Sequence, residues 1–137
     1  MSDISIYLSG GMQDLTFEES DAWRQHIEYE LKYENVRVFN PNWYYNYEHP
    51  EEYDSEKEIM DFDLYNLRRS DLVVVNFNAP RSIGTAQELA LAYEWHIPII
   101  GLNTHGNELH PWLEIECTKM FEEMADLIQY IKDYYLT

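Results

Sequence analysis

The chain has 137 residues, with 9 Lys plus Arg against 26 Asp plus Glu and a formal charge of −17. That length suits one domain around one core, and 45% hydrophobic with 15% aromatic residues supplies that core and excludes a disordered chain. So negative a field repels nucleic-acid polymers and anionic membranes as partners, whereas a few local donors in a small pocket can still hold a mononucleotide.

Ile4 to Leu8 alternates as a strand and stops at Ser9-Gly10-Gly11. Thr16-x-x-Glu19 is a capping box, and Phe17, Trp23, Ile27 and Leu31 carry an apolar helical stripe to about Tyr33. Val36 to Phe39 reads as a second strand, ended by Asn40-Pro41. Residues 42–54 form a loop rich in rings: Trp43, Tyr44, Tyr45, Tyr47 and Tyr53. Ser55-x-x-Glu58 opens a second helix by the same capping logic, running to about Arg69.

Leu72 to Phe77 is nearly all apolar, the mark of a strand covered on both faces. Gly84 to Trp95 is expected as a helix burying Leu89, Ala92 and Ala86, with Leu91 and Trp95 on a second flank. His96 to Gly101 is expected as a strand, residues 102–111 as a polar loop, and Ile115 to Lys119 as a short strand. Met120 to Tyr134 closes the chain as a helix with Phe121, Met124, Leu127, Ile128 and Ile131 on one side. Strands separated by helices imply right-handed crossovers, hence an α/β fold with a parallel, doubly wound sheet, and no repeat or linker divides residues 1–137.

Cys117 is the single cysteine, so no intrachain disulfide forms, and a reducing, cytoplasmic setting is expected. The start at Met1-Ser2-Asp3-Ile4 lacks the basic and apolar segments of a signal peptide, and no apolar run has the length of a membrane span. His26, His49, His96, His105 and His110 show no ligand spacing with Cys117, so no metal is expected.

Glu88 is the leading candidate for chemistry. It is expected in the first turn of its helix, at the carboxyl edge of the sheet, where open α/β folds bind ligands. The positive helix end favours its ionised form unless desolvation prevails, and an ionised carboxylate suits attack on a carbon with oxocarbenium character. The plain alternative is a solvated first-turn glutamate. Asp63 shares a helix face with Ile59 and Leu67, and a carboxylate on an apolar stripe needs partners. It either lines a pocket or accepts backbone N–H bonds from a nearby loop, whereas Asp61 reads as solvated charge.

Ser9-Gly10-Gly11-Met12 lets backbone approach a ligand at the same edge, although tight turns need glycine as well. Neither a G-x-G-x-x-G fingerprint nor a P-loop lysine is present. Tyr7 belongs to the core or to the pocket. Ser82-Ile83-Gly84 either binds an anion or simply caps a helix, with Arg81 as a possible supplement that otherwise faces water. The ring-rich loop stacks a base or forms a lid or subunit contact, and His110-Pro111-Trp112 is expected as a turn anchored by a buried tryptophan.

Taken together these segments resemble the nucleoside 2-deoxyribosyltransferase family and the related nucleoside 5′-monophosphate N-glycosidases. The likeness runs in order over roughly the first 100 residues. Tyr7-Leu-Ser-Gly-Gly-Met12 resembles the opening strand and glycine turn. Asp63-Leu-Tyr-Asn-Leu67 with Ser70-Asp71-Leu-Val-Val resembles the segment whose first Asp contacts the nucleoside. Gly84-Thr-Ala-Gln-Glu88-Leu-Ala-Leu-Ala-Tyr93 with Ile97-Pro-Ile-Ile resembles the segment of the nucleophilic Glu.

The resemblance implies a flavodoxin-like three-layer sandwich with a five-stranded parallel sheet. It implies cleavage of the N-glycosidic bond of a 2′-deoxynucleoside, or its 5′-monophosphate, through a glycosyl-Glu88 intermediate, with transfer to another free nucleobase or to water. Asp63 would handle the base or its proton, Tyr7 would orient Glu88, and Gly10, Gly11, Met12, Ser82 and Gly84 would contact substrate. No cofactor or metal is implied, and the active unit is a homodimer or larger homo-oligomer with sites completed by a neighbour. Where the transferases carry an Asp six residues before the nucleophile, this chain has Ser82, as the monophosphate N-glycosidases do. That tilts the implied substrate toward 5′-monophosphates, although serine also holds a 5′-hydroxyl and the charge of −17 opposes a dianion. The partner-donated C-terminal Asn of the transferases has no secure match, leaving Asn103, Asn107 and His110 as positional candidates. A non-catalytic nucleotide-binding module on this scaffold is the alternative outside enzymology.

Overall fold

A computed structural model describes residues 3–12, 15–46 and 48–137, so Tyr47 of the ring-rich loop and the Met1-Ser2 start lie outside the described residues. Five strands alternate with helices: β1 (Ile4–Gly10), α1 (Phe17–Glu30), β2 (Val36–Phe39), α2 (Glu56–Arg68), β3 (Leu72–Asn76), α3 (Ile83–Glu94), β4 (Ile99–Leu102), α4 (Pro111–Glu116), β5 (Lys119–Phe121) and α5 (Met124–Tyr134). All pairings are parallel, in the order β2-β1-β3-β4-β5. This is the expected flavodoxin-like sandwich. Chain direction across the sheet reverses between β1 and β3, and their carboxyl ends therefore border a crevice.

The period of two along β1 sorts its side chains. Ile6 and Leu8 enter the core under α1 and α5 with Trp23, Ile27, Leu127 and Ile131, whereas Tyr7 enters the opposite core with Leu67, Val73, Leu89 and Ala92. Leu72 to Val75 are fully buried, because helices cover both faces of a central parallel strand.

Local signals explain the boundaries. Thr16 accepts from Glu19 N at 3.1 Å while the Glu19 carboxylate accepts from Thr16 N at 2.8 Å, closing the capping box. Ser55 caps α2 through Glu58 N at 3.1 Å, but the Glu58 carboxylate turns to accept from the Tyr45 hydroxyl instead of the cap. Single 3-10 turns at Pro41–Trp43 and Pro50–Glu52 shape the ring-rich loop.

Four expectations are corrected. Residues 115 and 116 are helical, because His110 caps α4 with Pro111 at its first position, and β5 begins only at Lys119. The last helix consequently starts at Met124 rather than Met120. The fourth strand is Ile99–Leu102, since His96 takes a left-handed conformation (φ 61°) that ends the preceding helix. Ala86 is exposed, and Thr85 takes the buried position on α3.

Candidate active site

A cleft of about 660 Å³ opens at the crevice between the ends of β1 and β3. Gly10 and Met12 after β1, Asp63 on α2, and Ser82, Gly84 and Glu88 on α3 border it. Six of the eight residues expected in the site therefore converge on one cavity. The other two stand behind it: Tyr7 is fully buried against Glu88, and Gly11 packs on Ala79.

Glu88 lies in the second turn of α3, not the first, since Ser82 is the cap and Ile83 the first helical residue. The helix end therefore stabilises its charge less than expected, because that effect fades beyond the first turn. Side chains from β1 take over. The Tyr7 hydroxyl donates to Oε2 and the Ser9 hydroxyl donates to Oε1 at 2.7 Å. Residues 7 and 9 share one strand face by the period of two, so β1 presents two donors to one carboxylate. Burial pushes the Glu88 carboxyl above the usual carboxylate range, while these two donors and the Arg24 charge oppose the rise.

Asp63 is partly buried, and its Oδ1 has no hydrogen-bond partner. The backbone N–H alternative thus finds no support at that atom. Burial, reinforced by the Glu88 charge, raises the Asp63 carboxyl to about 7. Two neighbouring carboxyls accordingly differ in kind: one is held by donors at both oxygens, the other lacks a partner at Oδ1 and is inclined to keep its proton. Asp61, by contrast, is exposed and pairs with Lys57 at 2.8 Å, as expected of solvated charge.

The Tyr7 ring is fixed by a stack of aromatics. It lies on Phe39 with centroids 5.2 Å apart, and Phe39 stacks on Tyr44 at 5.4 Å. Tyr45 and Tyr53 reach the cleft itself and meet edge to face at 5.9 Å. Trp43 remains 57% exposed. Part of the loop is thus a wall of the site.

Gly10 admits no side chain, because a Cβ there would stand 2.9 Å from Trp23 and 3.3 Å from the Asn76 carbonyl. A Cβ on Gly11 would meet Ala79 at 2.3 Å, so this glycine closes the turn rather than touching a ligand. Gly84 faces open space. Ser82 caps α3, accepting from Thr85 N at 3.2 Å and Thr85 Oγ1 at 3.0 Å, and it also borders the cleft. Arg81 is exposed.

Asn103 and Asn107 are bound to loop structure: the Asn103 side-chain amide donates to the Asn107 carbonyl at 2.9 Å and accepts from Asn107 N at 3.0 Å, and the Asn107 side-chain amide donates to the Phe77 carbonyl at 2.9 Å. His110 caps α4, and Trp112 is 73% exposed, correcting the expected buried anchor. Among the described residues, His49, Glu51 and Glu52 alone cluster in a metal-like group, and they are exposed and outside the cleft. No described helix is long and apolar enough to cross a membrane.

Sequence reasoning passed over Arg24. It is fully buried on α1 and borders the cleft. The signal was available: an arginine between Trp23 and Ile27, against an apolar stripe, is as anomalous as Asp63.

Comparison with known proteins bears on family and fold. A family model described as nucleoside 2-deoxyribosyltransferase like matches residues 3–105. Among solved structures, a conserved protein from Enterococcus faecalis V583 superposes with a TM-score of 0.79 at 19% identity, covering 96% of this chain and 99% of that one. The 2-deoxyribosyltransferase of Bacillus psychrosaccharolyticus gives 0.73 at 21% identity, covering 92% and 91%. The CMP N-glycosidase of Clostridium botulinum gives 0.67 at 15% identity, covering 95% and 98%. At these identities the structures establish a shared fold. Curated protein sequences return no match.

Proposed function

We propose a mechanism from the premise that this chain belongs to the nucleoside 2-deoxyribosyltransferase-like family, and is an enzyme of the deoxyribosyltransferase/N-glycosidase type acting on deoxynucleosides. Glu88 attacks C1′ of the sugar while the C1′–N bond breaks and its electron pair leaves with the base. Asp63 supplies the proton that the departing nitrogen takes. A second base then attacks C1′ of the glycosyl ester, returns a proton to Asp63 and frees Glu88. The observation that carries this reading is the pairing of unlike carboxyls in one cleft. Glu88 is held by Tyr7 and Ser9, and Asp63 lacks a partner at Oδ1 and sits at about 7.

The preferred substrate in this reading carries a free 5′-hydroxyl. Three carboxylates, Glu56, Asp63 and Glu88, border the cleft, and Arg24 is the one cation among its described lining residues. That guanidinium is committed to backbone carbonyls, so a 5′-phosphate dianion finds little to balance it. The monophosphate N-glycosidase remains the second reading because of one observation. The Ser82 hydroxyl and the start of α3, whose first N–H groups have no intrahelical acceptor, border the same cleft.

A base-exchange assay decides between them. A 2′-deoxynucleoside incubated with a second free base is expected to yield the swapped nucleoside. Free sugar alone at high base concentration would refute transfer, and faster turnover of the 5′-monophosphate would favour the second reading. Assembly of the chain into a homo-oligomer belongs to the same proposal. Ile83 and Met60 border the cleft while 74% and 49% exposed, a rim suited to a neighbouring subunit. Sedimentation showing only monomer under assay conditions would remove that element.

A further inference from the structure

Arg24 is a buried charge that the mechanism above does not use. It is 0% exposed. Taking a guanidinium out of water costs several kcal/mol unless its N–H groups and its charge are answered, and an apolar side chain of similar size would avoid that cost. What answers it is therefore informative.

Its N–H groups are answered by backbone. Nε donates to the Leu8 carbonyl at 3.4 Å, Nη2 to the Gly10 carbonyl at 3.3 Å, and Nη1 to the Ser20 carbonyl. Strand geometry explains why the first two are available. The Ser5 carbonyl accepts from Asp71 N, on the β3 side of β1. Carbonyl direction alternates along a strand, so those of Leu8 and Gly10 face the opposite edge, toward β2. But β2 ends at Phe39, opposite Tyr7. Beyond that point β1 has lost its neighbour on that edge, and the guanidinium takes the place of the missing strand. Ser9, whose hydroxyl holds Glu88, sits between the two clamped carbonyls.

Its charge is answered at longer range. Arg24 makes no ion pair among the described residues. The groups that face it are Asp21 on its own helix, Glu28 one turn further on, Tyr7 from β1, Asp63 from α2 and Glu88 from α3. Asp21 already accepts from the amides of Gln25, Asn40 and Asn42. The cation is thus left as a shared counter-charge for the carboxyls of the cleft.

Resting on the reading of Glu88 as nucleophile, we propose that Arg24 is a positioning residue for the reaction. Its guanidinium clamps the Leu8 and Gly10 carbonyls so that Ser9 and Tyr7 hold Glu88, and its permanent charge favours a carboxylate there beside Asp63. Its hydrogen bonds among the described residues go to backbone carbonyls, not to Glu88 or Asp63. Its charge draws both carboxyls down against the upward push of burial. Lysine is not an equivalent, since a single ammonium cannot span the fork of carbonyls.

The experiment compares Arg24→Lys, Arg24→Met and Arg24→Gln with wild type in base release from a 2′-deoxynucleoside, each below its own melting temperature. For the neutral variants kcat is expected to fall about tenfold or more with KM nearly unchanged. Their acid limb should move up by about one pH unit, the scale of one lost charge neighbour. The lysine variant should keep the limb of wild type and lose several-fold in kcat. A purely structural role would lower melting temperature and leave the limb in place, and that result overturns the proposal. So does an Arg24→Lys protein with wild-type kcat, whether or not the neutral variants fold. Titration of the Glu88 carboxyl by ¹³C NMR reads the charge effect without turnover. If Glu88→Gln retains base release, the nucleophile reading fails, and this titration still judges Arg24.

Discussion

The Ser9 hydroxyl donates to Oε1 of Glu88 at 2.7 Å, joining the end of β1 to the second turn of α3. With Tyr7 donating to the other oxygen, the carboxylate is oriented by a strand rather than by its own helix. A side chain held from the sheet keeps its place when the helix end fluctuates, which is what attack on a single carbon requires.

Replacing Glu88 should therefore separate chemistry from folding. Glu88→Ala is expected to lower base release by at least about a thousandfold, with circular dichroism and melting temperature close to wild type. Ser9→Ala and Tyr7→Phe each remove one orienting bond, and each is expected to cost about ten- to a hundredfold in kcat. Full activity in Glu88→Ala would end the covalent scheme.

Asp63 couples activity to stability. Its carboxyl sits at about 7 in the fold against the ordinary 3.8, so the folded protein holds a proton that the unfolded chain releases between those values. Stability is therefore fully supported below about pH 4 and declines as pH rises toward 7, by on the order of 3 kcal/mol from this group. Asp63→Asn should flatten the fall in melting temperature on that alkaline side and raise it by several degrees at about pH 8. Loss of the proton donor should at the same time cut base release by about a hundredfold or more. A melting curve of Asp63→Asn with wild-type pH dependence would show that burial of Asp63 carries no such cost.

Ser82 tests the sugar's 5′ substituent. Ser82→Asp places a carboxylate at the start of α3 and should suppress any turnover of a 5′-monophosphate while sparing the 5′-hydroxyl substrate. Equal loss of both substrates would mean that Ser82 matters chiefly as the cap of α3, worth about 1 kcal/mol of helix stability.

The glycines of the site make opposite predictions. Gly11→Ala forces a methyl to within 2.3 Å of Ala79 and is expected to cost about 1–3 kcal/mol in chemical denaturation. Gly84→Ala meets nothing within 4 Å and should stabilise α3 by up to about 1 kcal/mol. Equal effects at the two positions would contradict the packing described around the β1 turn.

Much of the scaffold was readable because it rests on short-range rules. Caps at Thr16, Ser55 and Ser82 set three helix starts, and the uninterrupted Leu72 to Val75 run announced a strand covered on both sides. Reading failed where one signal supports two outcomes. Ile115 and Glu116 fit a strand as well as a helix because so brief a mixed segment has no periodicity, and the His110-Pro111 pair that starts the helix fits a turn as well. Trp112 is a natural anchor by its size and apolarity, but a six-residue helix buries one side, and Leu113 occupies it.

The sequence by itself determined the α/β class, the parallel sheet and the presence of Glu88, Asp63 and the glycine turn at one sheet edge, because period, capping and crossover handedness act over a few residues. Only the tertiary structure decided what those groups become. Tyr7 and Ser9 grip Glu88 across 81 and 79 residues of chain, the Asp63 carboxyl rises because folding strips it of water, and Arg24 completes a strand edge that β2 leaves open. Burial and long-range contact set those properties, and both exist only once the chain has closed on itself.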